Sequence, residues 1–412
     1  MKNQQILCFG PADWWHRNPS CTTHLMRAFS LENEILYVNP FSTDLPTGFS
    51  AGLWRRIVRK GRSLATALRR VSPGFHTFSP LFLPVQGNPT LDGVNNAWIW
   101  AQLRAVLRWL HFRPTLIWYE NVRAAAALDW FPSVPSIYHV SDAFAESRYL
   151  RDEHAFRALE EALSQRTDVM VCVSERLYEE KRRRFGERAH LIPHAVDFAL
   201  FSAAARASVR PAELAEIPRP IAGYYGTLSA SNDLELLEYC ARSLPDVSFV
   251  FAGVITGGDF GPLQALPNTH FLGFLPYERM PALAAAFDVC LLPWRMTRWI
   301  EHCNPLKFME FMAAGKPVVS VPIPQVASAG GDLVQVASGP EEFSAAIRKQ
   351  LKEDTSSRQL RRMELASRHT LERHVARFSA ILDSILRDGK ETAEPTRRSL
   401  SDEPGASIGR SQ

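Results

Sequence analysis

The chain of 412 residues is longer than a single hydrophobic core ordinarily grows, so its length predicts two domains. With 46% hydrophobic and 22% charged residues and a net charge of +4, its composition excludes a disordered chain and gives no sign of a nucleic-acid partner. Apolar runs fall short of the ~20 residues that cross a bilayer, and six scattered cysteines without a CxxC pair argue against a disulfide scaffold or a metal cluster.

Residues 6–9 read as a first strand with no secretory signal ahead of them, and a cytoplasmic location is expected. The loop at 10–17 sets Asp13, His16 and Arg17 beside Trp14 and Trp15, a group suited to binding a polar acceptor and stacking on a sugar ring. A helix over 22–30 and a strand over 35–38 follow. Residues 40–89 lack a clear pattern, yet 54–71 hold seven basic residues and no acidic one, with apolar residues at helical spacing. That stretch reads either as an amphipathic helix peripheral to an anionic membrane surface or as the solvated basic face of a domain.

Strands over 116–119, 136–140 and 169–173, with helices over 98–110, 154–166 and 175–185, complete the first half. The strand at 136–140 runs through Ser141 into Asp142, which puts a carboxylate at a strand's carboxyl end. There it serves as general base for a hydroxyl, or else caps a helix starting near Ala143. Pro193, Pro211, Pro218 and Pro220 mark a hinge over 193–219. A second series of strands, near 221–226, 247–252, 270–274, 289–293, 317–321 and 333–336, alternates with helices over 234–242, 277–287, 305–314 and 340–352. Such alternation means parallel, doubly wound sheets, so the chain reads as an α/β protein with two Rossmann-like domains, 1–192 and 220–370. A helix over 371–387 and a polar, disordered tail over 388–412 end it.

Chemistry concentrates at 304–319. Asn304 reads as an N-cap, Pro305 as the first helical position, and Gly315 as the left-handed residue before a buried strand. Free N–H groups at such a helix start attract anions, and Lys307 adds a positive charge. Glu310 follows at i+3, so cation and carboxylate either serve one ligand or form a plain surface pair. A cation for phosphates beside an acceptor for hydroxyl groups suits a sugar nucleotide. No Asp-x-Asp pair is present, and neither a metal nor an organic cofactor is expected.

Four segments in register resemble the GT-B glycosyltransferases of the family 4-like group. Residues 168–175 look like that family's strand leading into a serine-started helix. Residues 191–198, with Phe201, resemble its hinge motif, with His194-Ala195 where Asn-Gly is usual. Residues 223–228 resemble the first strand and glycine turn of the donor domain, and 304–319 is the fourth segment. The resemblance implies two domains facing a cleft, with a nucleotide-sugar donor held mainly by the second. It implies that Leu306 and Lys307, at the helix start opened by Asn304, meet the diphosphate, and that Glu310 accepts from ribose hydroxyls. By the same resemblance Gly226 lets the phosphates approach, and Phe274 and Leu275 border the base or else pack in the core; His194, in the hinge motif, faces the phosphates or else packs the hinge. Asp142 is similar in setting to the general base of membrane-associated inverting glucuronosyltransferases. Two positions depart from the family. His302, with Glu301 next to it, stands where a second carboxylate is common, and no Arg-Lys pair follows the glycine turn. The expected function is metal-independent transfer of a sugar to a hydroxyl of a glycan or lipid-linked glycan, in surface polysaccharide synthesis. A non-catalytic nucleotide- or glycan-binding protein and a nucleotide-sugar epimerase are the alternatives.

Overall fold

The computed structural model describes residues 1–15, 20–41, 67–82, 89–146, 152–207 and 209–393, with backbone alone over 388–393. The first sheet is built from β1 (Gln5–Phe9), β2 (Glu34–Val38), β3 (Leu68–Ser72), β4 (Phe75–Phe78), β5 (Leu116–Tyr119), β6 (Ser136–Val140), β7 (Val169–Cys172) and β8 (Ala189–Leu191). Their order is β3-β4-β2-β1-β5-β6-β7-β8, and every pair is parallel except the hairpin β3–β4. The second sheet holds β9 (Ile221–Tyr225), β10 (Ser248–Ala252), β11 (Thr269–Gly273), β12 (Val289–Leu292), β13 (Val318–Ser320) and β14 (Val334–Val336). It is wholly parallel, in the order β11-β10-β9-β12-β13-β14. Residues of β5, β6, β7, β9 and β12 are buried throughout, because helices cover both faces of each sheet. That is why these strands read as continuous apolar runs.

Among the helices are α1 (Cys21–Phe29), α2 (Pro89–Trp109), α3 (Glu175–Phe185), α4 (Arg298–His302), α5 (Leu306–Ala313) and α6 (Leu371–Ala393). Ser20 caps α1 and Ser174 caps α3, each accepting a backbone N–H from three residues on. The last helix, α6, leaves the second lobe and returns to the first. Its Phe378 and Leu382 are buried against Phe29 and Trp118, with Phe378 ring centroids 6.3 and 5.0 Å from theirs. Burying these two side chains contributes about 1.5–3 kcal/mol each to holding the lobes together.

Several expectations are corrected. The carboxyl end of the basic stretch is not helical: Leu68–Ser72 is the edge strand β3, turned back by Gly74 (φ +72) onto Phe75–Phe78. Burial of Phe75 and Phe78 under the sheet outweighs the helical spacing of the preceding residues. Residues 54–66, the rest of that stretch, lie outside the described residues. Helix α2 starts at Pro89, nine positions before the expected 98, where Gly93, Asn95 and Asn96 had obscured the periodicity. The hinge contains a helix, Phe198–Ala207, whose Phe201 is buried in the core of the second lobe. A helix at Ser356–Ser367 precedes α6, and α6 continues past Arg387 to Ala393, into the stretch expected to be a disordered tail.

Candidate active site

The turn after β9 and the start of α5 meet at one point. Gly226 has φ +126, and a Cβ built there would lie 2.3 Å from Lys307 Cε and 2.8 Å from its Nζ. Only a residue without a side chain lets the lysine lie across the turn. The Lys307 ammonium sits 5.6 Å from the ring centroid of Tyr224 and 5.3 Å from that of Trp294. Among the described residues no ion pair engages it, so its charge is held by two aromatic faces and remains open to an anion. The first turn of α5 has no side-chain cap, which leaves backbone N–H groups beside that ammonium.

Asn304 is not the cap. Pro305 takes that position and Leu306, half-buried, is the first helical residue. The Asn304 carboxamide donates to the Val173 carbonyl of the first lobe at 2.9 Å, a buried bond between lobes. Glu310 is no surface partner of Lys307 either. It is buried, with Oε2 accepting from the Tyr225 hydroxyl at 2.7 Å and Oε1 from that of Tyr277 at 3.1 Å. Burial raises its pKa, against the tyrosine hydrogen bonds and the charge of Lys307. Each oxygen keeps further lone-pair capacity, so Glu310 can still accept from a ligand hydroxyl. The ring of Tyr277 also lies 5.0 Å from that of His24 on α1, which ties this carboxylate to the first lobe. Phe274 is half-buried just after β11, three positions before Tyr277.

Asp142 stands where the lobes touch. Its Oδ1 accepts from Trp299 Nε1 at 2.7 Å, from the Ala143 N–H at 2.8 Å and from Cys303 Sγ at 3.5 Å. Trp299 belongs to α4 and Cys303 follows it, both in the second lobe. Among the described residues no hydrogen bond uses Oδ2, which can meet a ligand. Burial pushes the Asp142 carboxyl up to about 6, with the hydrogen bonds and His302 pulling the other way. Among the described residues a 3-10 turn, Phe144–Glu146, follows, and Asp142 Oδ1 accepts the N–H of the adjacent Ala143 rather than one two or three positions on, as a helix cap would.

The remaining residues divide. His194 lies with Cys21, His139 and His374 around a small pocket under the hinge, and burial first, then the other two histidines, lower its pKa to about 3. Neither that pocket's lining nor the groups acting on His194 include Lys307. Asp13 is exposed and accepts the Trp15 N–H at 2.8 Å. Trp14 is core, packed 4.6 Å from Phe75, whereas Trp15 is 48% exposed. His16 and Arg17 lie outside the described residues. Neither departure from the family pattern supplies a second carboxylate to the ligand side. Glu301 pairs with Arg176 of α3 at 2.6 Å, and His302 Nε2 meets Glu180 of α3 at 3.0 Å. Tyr277, Trp294, Trp299 and Cys303 lie in no motif, and Tyr224 and Tyr225, though inside the 223–228 segment, had no role assigned from sequence. The two tryptophans at 294 and 299, just before the 304–319 segment, were the one visible signal for that wall of the site. Among the described residues no three His, Cys, Asp or Glu side chains gather as a metal site.

Two parallel-sheet lobes meeting across a cleft, with a glycine turn and a lysine on one wall and a carboxylate on the other, define a GT-B protein. The comparisons agree. Residues 219–353 match the model described as glycosyl transferases group 1, and residues 55–200 match glycosyltransferase family 4, one in each lobe. The first lobe thus carries a stretch like glycosyltransferase family 4 and the second a stretch like the glycosyl transferases of group 1. The chain is 28% identical over 244 residues to a putative teichuronic acid biosynthesis glycosyltransferase, TuaH of Bacillus subtilis, which covers 55% of this chain. The match spans 61% of that relative, less than two thirds of its length. Anabaena HepE, solved with UDP and glucose, is similar in fold at a TM-score of 0.63 and 15% identity, covering 93% of this chain and 100% of that one. Sucrose-phosphate synthase from Thermosynechococcus elongatus has a TM-score of 0.70 and 14% identity, with 94% and 100% covered.

Proposed function

We propose that the chain transfers a sugar from a nucleotide-sugar donor to a hydroxyl of a glycan or lipid-linked glycan. The observation that carries this reading is the Lys307 ammonium laid across the Gly226 turn, with uncapped N–H groups of α5 next to it. As the bond between the anomeric carbon and the diphosphate breaks, its electron pair leaves with the diphosphate. Lys307 and the helix start stabilise that charge, so no divalent ion is assigned the task. Across the cleft, Oδ2 of Asp142 takes the acceptor's hydroxyl proton while the acceptor oxygen bonds to the anomeric carbon. A carboxyl titrating near 6 is ionised at neutral pH and is a stronger base than an ordinary aspartate. Glu310, Leu306 and Phe274 complete the donor side, with Glu310 accepting from the ribose. Asp13, His16 and Arg17 are assigned to the acceptor side.

The UDP and glucose named with HepE support a nucleotide diphosphate as leaving group, and the name of TuaH supports a part in polysaccharide biosynthesis of the teichuronic acid type. A second reading, a non-catalytic nucleotide binder, is favoured by the two tyrosines already on Glu310. Hydrolysis of nucleotide-sugars by the purified chain separates the two, because a binder leaves the donor intact. The direct test is Lys307→Ala. Losing one charge-assisted contact of about 1.5–3 kcal/mol should weaken donor binding by about 10- to 100-fold, read by calorimetry, with the fold retained. Unchanged donor affinity would remove Lys307 from the site.

A further inference from the structure

Helix α2 is apolar on two opposite sides, and among the described residues the first lobe covers only one. Ile99, Leu103 and Leu107 are buried in the core beneath it. At about 100° per residue, Val94, Trp98, Ala101, Ala105 and Trp109 share a sector of about 80° on the other side. All five are exposed, Trp98 by 52% and Trp109 by 70%. A helix packed on one domain needs a single apolar stripe, so the second stripe is surplus to folding. Arg104 and Arg108 are exposed along its flank. The helix has one acidic residue, Asp92 in its first turn, and the same wheel puts it on the covered side.

We propose that this face of α2 docks on an anionic lipid membrane, with the helix lying in the plane of the surface. The composition chooses lipid over a protein partner. Tryptophan, apolar with one polar N–H, belongs at the boundary between headgroups and acyl chains. The two arginines supply the charge complement to anionic headgroups, and no acidic residue of the helix shares their side. Ala101 and Ala105 keep the ridge low between tryptophans about 16 Å apart along the axis, so both enter the surface together. Arg69 and Arg70, exposed on the edge strand β3 of the same lobe, extend the positive charge. The membrane face lies on the lobe assigned to the acceptor. In that respect the proposal rests on the sugar-transfer reading and explains how a lipid-linked acceptor is reached.

The test is flotation of the full chain with vesicles of phosphatidylcholine, alone or containing phosphatidylglycerol. Wild type floats with the anionic vesicles and less with the neutral ones. Arg104→Gln and Arg108→Gln each lower anionic binding by about fivefold, the equivalent of about 1 kcal/mol per basic group. Trp98→Ser with Trp109→Ser lowers binding further. All four side chains are exposed, so the combined variant should keep the wild-type melting temperature and its thermal shift with a nucleotide-sugar. That retained shift separates failure of the membrane proposal from failure of the donor site. A folded quadruple variant that floats like wild type, or a wild type that does not float, overturns the proposal. So does loss of binding only when the basic residues of 55–62 are neutralised. A wild-type dimer in light scattering that Trp98→Ser with Trp109→Ser converts to monomer would assign the face to a second copy instead.

Discussion

Replacing Asp142 by asparagine is expected to stop sugar transfer and, at the same time, to stabilise the fold at neutral pH. Burial at the lobe junction pushes this carboxyl from 3.8 up to about 6, despite hydrogen bonds from Ala143, Trp299 and Cys303. A folded-state pKa above the unfolded one means that the folded chain binds the proton more tightly. The stability contributed by the protonated group is therefore full below about pH 4 and is lost as pH rises through about 6. About two units at 1.36 kcal/mol each amount to about 3 kcal/mol by pH 7. Asparagine keeps an oxygen for the Trp299 indole and has no charge to bury, so it escapes that loss. Denaturant unfolding between about pH 4 and pH 7.5 should show the variant gaining on wild type by roughly 3 kcal/mol across the range. In the same window, kcat/KM of wild type should climb through about pH 6 and then level, because only the ionised carboxylate accepts a proton. The variant should bind donor normally and turn over little or none. A stability difference that stays constant with pH, or near-normal turnover in the variant, would refute the reasoning.

Gly226→Ala should cost both affinity and stability. Its methyl would collide with Lys307 Cε at 2.3 Å and sit at φ +126. We expect the lysine to move, a drop in donor affinity of at least about tenfold, and a loss of about 1–3 kcal/mol in unfolding free energy. Calorimetry and thermal denaturation check the two effects, and donor binding like wild type would mean the turn does not face the phosphates. Trp299→Phe keeps the ring but removes the N–H held by Asp142 Oδ1 at 2.7 Å. Without that donor the carboxyl should rise further, so the acid limb of the kcat/KM profile should move to higher pH while the plateau rate stays near wild type. A profile that does not move would deny Trp299 its positioning role.

Much of the architecture was legible in the residues. Alternating apolar runs and helical stretches announced two parallel sheets. The serine-started helix at Ser174, the glycine turn at Gly226 and the placement of Lys307 just inside a helix were all visible locally. These features depend on neighbours within one turn or one strand, where periodicity and backbone sterics act. What the sequence left open was settled by residues far away along the chain. Asn304 has the side chain of a cap, yet the Val173 carbonyl, 131 positions earlier, takes its carboxamide. Glu310 stands at i+3 from Lys307, but burial with Tyr225 and Tyr277 turns a seeming surface pair into an interior carboxylate. The spacing at 68–71 fits a helix, and pairing with β4 at the sheet edge makes it a strand.

Asp142 shows the division most clearly. Its place just past the end of a strand follows from the short run 136–140, built around Ile137, Tyr138 and Val140, alone. Its partners Trp299 and Cys303 lie 157 and 161 positions on, and only the closing of one lobe against the other brings them there. Local order is written in backbone geometry, which each short segment carries with it. Proton affinity depends on water excluded and dipoles supplied by the rest of the molecule, and those exist only once the lobes have met.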